Sequence, residues 1–189
     1  MIKIRVTHLM SVTLIGATLI LTACGGGSGG SSSTPDTPGN TSTQTPIQRM
    51  ASLENSGAIP KLDRSNVIGG TDVNANGIRD DIDAILTATY PQAPQRAAAV
   101  QLAKVMQAAL LEDKTNIVAV KAISVRGSRA VNCVYRVFDG SNGSKQPALV
   151  ITEIEAMTAN TKARMLAYLA YNKALDGTSG TLPEGDTCE

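Results

Sequence analysis

Apolar side chains are missing from one stretch of this chain and periodic in another. Residues 25–46, "GGGSGGSSSTPDTPGNTSTQTP", contain none of the larger apolar residues. Gly and Ser cannot bury enough surface there to offset the entropy of ordering, so this stretch predicts a flexible tether. Further on, "DDIDAILTATYP" sets Ile82, Ile85 and Leu86 at helical spacing, with acids in the first turn and Tyr90-Pro91 as a stop. "PQRAAAVQLAKVMQAALLED" carries the strongest helical signal, a stripe of Val100, Ala103, Met106 and Leu110 among good helix formers. "PALVITEIEAMT" predicts a helix starting near Pro147. In "NTKARMLAYLAYNKALDG", Met165, Leu166, Tyr168 and Leu169 form a predicted apolar face, with Asn160 or Thr161 to cap the start and Gly177 to close the end.

The middle segment, "TNIVAVKAISVRGSRAVNCVYRVFDG", fits two periods. Val131, Cys133, Tyr135 and Val137 alternate as in a strand, whereas Val120, Ile123, Ala130, Val134 and Phe138 share a helical face. Helix is preferred because the neighbouring elements are helices and an isolated two-stranded ribbon is marginal. The expected fold is therefore all-α, a small helical bundle over residues 47–189 forming one domain. An α+β fold with a short β-hairpin around 117–138 is the alternative. The methionine and tyrosine positions on these helices read as core rather than as a ligand pocket.

The N-terminus follows a different rule. Lys3 and Arg5 precede a run rich in Leu, Ile, Val and Ala, the layout of a secretory signal. The run ends in "LTAC", and Leu21, Thr22 and Ala23 before Cys24 resemble the bacterial lipobox. That resemblance implies removal of residues 1–23 and acylation of Cys24, with residues 24–46 as the tether. A lipid anchor gains about 0.8 kcal/mol per buried methylene, so the protein is expected to stay on a membrane. A plain transmembrane anchor is the alternative, at roughly 20 apolar residues, but Thr and Gly interrupt the run. Gly25 after the cysteine resembles enteric sorting to the outer membrane, in the bacterial cell envelope, facing the periplasm or the surface.

Losing the signal changes the inventory. Lys3 and Arg5 leave the 17 basic residues while all 16 acidic ones remain, so the mature chain carries one net negative charge. Nucleic-acid binding, which needs a basic face, is not expected. The only histidine, His8, departs with the signal, which excludes Ser-His-Asp and Cys-His catalysis and argues against common zinc sites. There is no Trp, and Phe138 is the one Phe, which argues against a stacking platform. With Cys24 acylated, Cys133 and Cys188 remain in an oxidising compartment and are expected to form a disulfide; neither belongs to a CxxC pair.

Candidate chemistry is concentrated in "DVNANGIRDDID". These 12 residues resemble the calcium loop of the EF-hand and of its relatives in dockerins and thrombospondin type-3 segments. The resemblance implies a calcium site with side-chain ligands Asp72, Asn74, Asn76, Asp80 and Asp83, Gly77 at the turn, and the backbone carbonyl of Ile78. Three departures stand out: the closing residue is Asp rather than Glu, two inner ligands are amides, and the incoming segment with Pro60 and Gly69-Gly70 is not a helix. No second loop accompanies it, since "DGSNGSK" from Asp139 lacks the spacing. With three carboxylates and Arg79 close by, the expected dissociation constant lies near about 10⁻⁴ to 10⁻³ M. An Asx-rich turn opening a helix is the alternative, since Asp80 and Asp81 also suit a helix N-terminus.

Other motifs are weaker. "GSNGSK" lacks the P-loop spacing and reads as an exposed turn. Asn142 matches a glycosylation acceptor, which a bacterial host would leave bare. Glu153 with Glu155, or Asp80 with Asp83, could serve a hydrolase only if set across a cleft. The expected function is non-enzymatic: a calcium-stabilised envelope lipoprotein that binds an unidentified envelope protein and no evident small-molecule substrate. An immunity-type lipoprotein neutralising a periplasmic toxin, or a carboxylate- or metal-dependent hydrolase, is the alternative.

Overall fold

Helix formation follows the periodic segments closely. The computed structural model describes residues 44–189, Asn142 excepted, so the signal segment, Cys24 and nearly all of the tether lie outside the described residues. Six helices and no strand are present among them: α1 Pro46–Asn55, α2 Asp80–Thr89, α3 Ala93–Leu111, α4 Ile117–Val137, α5 Pro147–Thr158 and α6 Lys162–Ala174. The expected all-α class holds. No helix among the described residues is long and apolar enough to cross a membrane.

The ambiguous middle segment is the single helix α4. Val120, Ile123, Ala130, Val134 and Phe138 are all buried, so burying that face in one unbroken helix outweighs the short alternation at its C-terminal end. Asn116 caps the start by accepting from the Ala119 N–H at 3.2 Å. Helix α3 is the central element, packed against α2, α4, α5 and α6. Its burial extends well beyond the predicted stripe: Ala98, Ala99, Leu102, Val105 and Ala109 are buried beside Ala103 and Leu110. Small alanines let its neighbours approach on several sides.

Two elements depart from the expectation. Helix α1 begins at Pro46, inside the stretch read as tether. It opens on a capping box in which Thr45 Oγ1 accepts from the Gln48 N–H while Gln48 Oε1 accepts from the Thr45 N–H. In α6 the apolar face is inverted. Met165, Leu166 and Leu169 are 44, 55 and 53 % exposed, and the buried edge carries Arg164 and Tyr171. The face read as core points outward because Arg164 has a set of buried oxygen partners that no residue of α6 reveals. Thr161 caps this helix, accepting from the Arg164 N–H, and Gly177 takes the left-handed conformation just beyond its end (φ +76°).

The C-terminal tail is bound to the bundle by more than one means. The sulfurs of Cys133 and Cys188 are 2.02 Å apart. Buried Thr187 donates its hydroxyl to the Arg129 carbonyl at 2.7 Å, and its own carbonyl accepts from Gln101 Nε2 at 3.0 Å. Asn132 and Arg136 on α4 both donate to the Gly185 carbonyl. Side chains of α3 and α4 thus supply the hydrogen bonds that a segment without secondary structure cannot make with itself.

Candidate metal-binding loop

The loop ahead of α2 is shaped by its own short polar side chains. The Asp72 carboxylate accepts from the N–H groups of Asn76 (3.1 Å) and Gly77 (2.9 Å), Asn74 Oδ1 from the Asn76 N–H (3.0 Å), and Asn76 Oδ1 from the Ile78 N–H (2.9 Å). These Asx turns satisfy successive backbone donors and curl the chain. Ala75 and Gly77 both take positive φ, +52° and +85°. The loop is closed where the Asp80 N–H donates to the Thr71 carbonyl at 2.8 Å, while the Asp80 carboxylate accepts from the Val73 N–H at 3.1 Å.

Three of the five expected side-chain ligands, Asn74, Asn76 and Asp83, meet directly. Asp83 Oδ2 accepts from Asn76 Nδ2 at 2.9 Å and from Asn74 Nδ2 at 3.5 Å, and Asp72 joins them through the Asn76 and Gly77 N–H groups. Asp80 sits at the loop's closure, bonded to Val73. Among the described residues no three His, Cys, Asp or Glu side chains gather into one metal-binding group, so carboxylates alone do not make a site here. The donor set that remains is mixed and all oxygen. The Asp72 carboxylate and the oxygens of Asn74 and Asn76 keep lone pairs beyond those used above. The Ile78 carbonyl takes up no hydrogen bond among the described residues. A hard cation with six to eight oxygen ligands suits such a set, and it would compete with two amide N–H groups for Asp83.

Behind the loop lies a cluster that the sequence pattern did not disclose. Ile78 and Arg79 turn into the core, 1 and 0 % exposed. Arg79 therefore does not oppose the loop's oxygens, contrary to the expectation from its position. Its guanidinium grips Asp81 bidentately, Nε to Oδ1 at 2.6 Å and Nη2 to Oδ2 at 2.8 Å, and also donates to the Met157 carbonyl at 3.1 Å. Arg164, equally buried, donates to the carbonyls of Asp63, Val67 and Ile68, to Asn160 Oδ1, and to Asp63 Oδ2 at 3.1 Å. Asp63 and Asp81 are joined by the Asp63 N–H, which donates to Asp81 Oδ2 at 2.7 Å. Two buried cations and two carboxylates thus hold the coil 59–70 against the α5–α6 corner.

The titration behaviour follows from these partners. The N–H of Ser65, then its hydroxyl and the Arg164 guanidinium, hold the Asp63 carboxyl below its usual range despite partial burial. Burial pushes Asp81 up, but the bonds from Arg79 and the Asp63 N–H outweigh it, and its net displacement is downward. Burial, then the neighbouring Arg79 charge, pull Arg164 below an ordinary arginine.

Gly70 seals the cluster. It has φ +62°, and a Cβ there would lie 2.2 Å from Arg79 Cδ and 2.8 Å from Asp63 Oδ2. Gly77 also has positive φ, but a Cβ there would meet nothing within 4 Å. Both alanine variants incur the left-handed backbone cost of about 1–2 kcal/mol. Gly70→Ala adds overpacking of roughly 1–3 kcal/mol. Urea titration is expected to rank Gly70→Ala clearly below Gly77→Ala in stability; equal midpoints would show that the arginine yields freely.

The other candidate chemistry is dispersed. Glu153 pairs with Lys145 at 2.6 Å, beside a cleft of about 330 Å³ lined by Pro60, Ile85, Tyr90 and Met157. Burial, with a smaller contribution from Glu153, raises the Tyr90 hydroxyl to about 12. Glu155 instead lies beside Tyr168 on α6, where burial, and then Glu155, push the Tyr168 hydroxyl up, so Glu153 and Glu155 diverge. The turn from Asp139 is exposed, its carboxylate accepting from the Ser141 N–H at 2.9 Å and from the Ser141 hydroxyl. No protein-family model, curated protein or solved structure matches this chain.

Proposed function

We propose that this protein is an envelope lipoprotein, held to the outer membrane by acylated Cys24, whose helical domain is stiffened by calcium in the loop 72–83 and serves a structural or protein-binding role rather than catalysis. The observation that carries the reading is the pairing of a tightly curled, Asx-rich loop with a core-seated base. Asp72, Asn74, Asn76 and Asp83 are drawn together on one side, while Ile78 and Arg79 fix the same loop from the other. A loop already curled by its own bonds loses less entropy on taking a cation, which favours binding. Calcium, when bound, would cross-link the start of α2 to the preceding coil electrostatically. The absence of histidine from residues 24–189 and the divergence of Glu153 and Glu155 support a non-catalytic role.

The anchor is tested by fractionation. The unaltered protein is expected to run as the mature form and to extract with detergent from the membrane. Cys24→Ala is expected to accumulate as precursor or to appear in the soluble fraction. Unchanged size and partitioning of that variant would exclude lipidation at this residue. Crosslinking in the intact envelope, followed by recovery of the protein, then identifies what it touches.

A further inference from the structure

We propose that the outward face of α6 docks on an anionic lipid surface; this deepens the anchoring read above and rests on it. The helix has its polarity reversed. At about 100° per residue, Met165, Leu166 and Leu169 stand roughly opposite Arg164 and Tyr171, the two residues it buries. Three large apolar side chains about half exposed on one helical face form an uncovered patch of the kind that marks interaction sites. Lys162 and Lys173 lie on that same face, one near each end, and both are exposed.

Charge decides the occupant. Residues Lys162–Ala174, "KARMLAYLAYNKA", contain no acid, and the nearest in sequence, Asp176, lies beyond the helix. A second copy packed on this face, parallel or antiparallel, would set lysine against lysine at both ends of the apolar stripe. An anionic bilayer answers both features, because apolar side chains enter the headgroup boundary while lysines reach outward to phosphates. Reach is sufficient as well: Cys24 lies 20 residues before Gln44, where the described structure starts, and an extended chain of that length spans up to roughly 70 Å.

The test uses the mature, lipidated protein in vesicles of phosphatidylcholine alone or mixed with phosphatidylglycerol. An environment-sensitive fluorophore is placed on Leu169→Cys or, as control, on Val118→Cys, an exposed site on α4; Cys133 and Cys188 are paired and do not compete for the label. With phosphatidylglycerol present, the label at 169 is expected to shift to the blue and to lose iodide quenching, while the label at 118 does neither. The pair Lys162→Glu and Lys173→Glu is expected to abolish the shift. A label at 169 as open to iodide as that at 118 in the anionic vesicles would overturn the proposal. So would a shift that appears only when native envelope proteins are added, which would assign the face to an acidic protein partner. Flotation reads the anchor separately. If the protein does not float with phosphatidylcholine vesicles, the anchor reading fails, and adding phosphatidylglycerol vesicles to the free protein then decides docking by the same shift.

Discussion

Arg164→Met is expected to cost about 3 kcal/mol, the low end for removing one partner from a buried ion pair, because the Asp63 side chain left behind is 25 % exposed. The variant fills a similar volume but leaves the Asp63 carboxylate with its Ser65 bonds alone and withdraws the donor from the carbonyls of Asp63, Val67 and Ile68 and from Asn160 Oδ1. Unpaired buried acceptors carry their full desolvation cost. Arg164→Lys should recover only a part, because an ammonium keeps the charge but cannot reach five acceptors arranged around a planar fork. In urea the midpoint should fall for both variants, further for Met. Amide exchange should quicken first in residues 59–70, which Arg164 holds, and least in α3 and α4. A Met variant within about 0.5 kcal/mol of the parent, the range of ordinary surface changes, would show that the arginine is a passenger in the core.

The second large effect concerns the tail. Cys133 and Cys188 are 55 residues apart, and in the chain-entropy model closing such a loop stabilises the fold by about 4 kcal/mol. Replacing both by serine should therefore lower the melting temperature by roughly 10–15 °C for a domain of this size. The hydrogen bonds from Gln101 and Asn132 to Thr187 remain available, so the variant should still fold, with faster amide exchange confined to residues 178–189. A melting temperature unchanged by the double substitution would mean that those side-chain bonds alone fix the tail.

The elements that could be read from the sequence are those whose stability comes from their own period. Helix α4 was decided by Val120, Ile123, Ala130, Val134 and Phe138, whose joint burial exceeds what an alternating run of four residues can gain. The span of α6 is legible in its period but its facing is not, since Met165, Leu166 and Leu169 outweigh Arg164 in any reading of period. The partners that bury Arg164 belong to a coil, residues 63–68, 96 to 101 positions away, and to a helix junction, Asn160, 4 positions away, and neither has a period. Helix α1 buries no residue and so has no apolar period to read; its one local signal is the capping box of Thr45-Pro46-Ile47-Gln48. In the loop, alternate Asx residues and Gly77 mark the tight turn that brings Asn74 and Asn76 against Asp83. The direction of Arg79 depended on Asp81 and on the α5 carbonyls, which only the assembled fold supplies.

Calcium and the fold must be linked if the loop is a metal site, because Asp80 and Asp83 belong to α2 and come beside Asp72, Asn74 and Asn76 only once that helix is in place. The measurement is thermal unfolding of the mature protein in detergent, with millimolar calcium or with chelator. At a calcium concentration ten times the dissociation constant the folded state gains about 1.4 kcal/mol, a rise of a few degrees for a domain of this size. Magnesium should do less, because its small rigid octahedron suits a mixed carboxylate and amide loop poorly. Asp72→Ala should remain folded and lose the calcium response. The same melting temperature in calcium and in chelator would contradict the account and leave the loop as a turn that opens a helix.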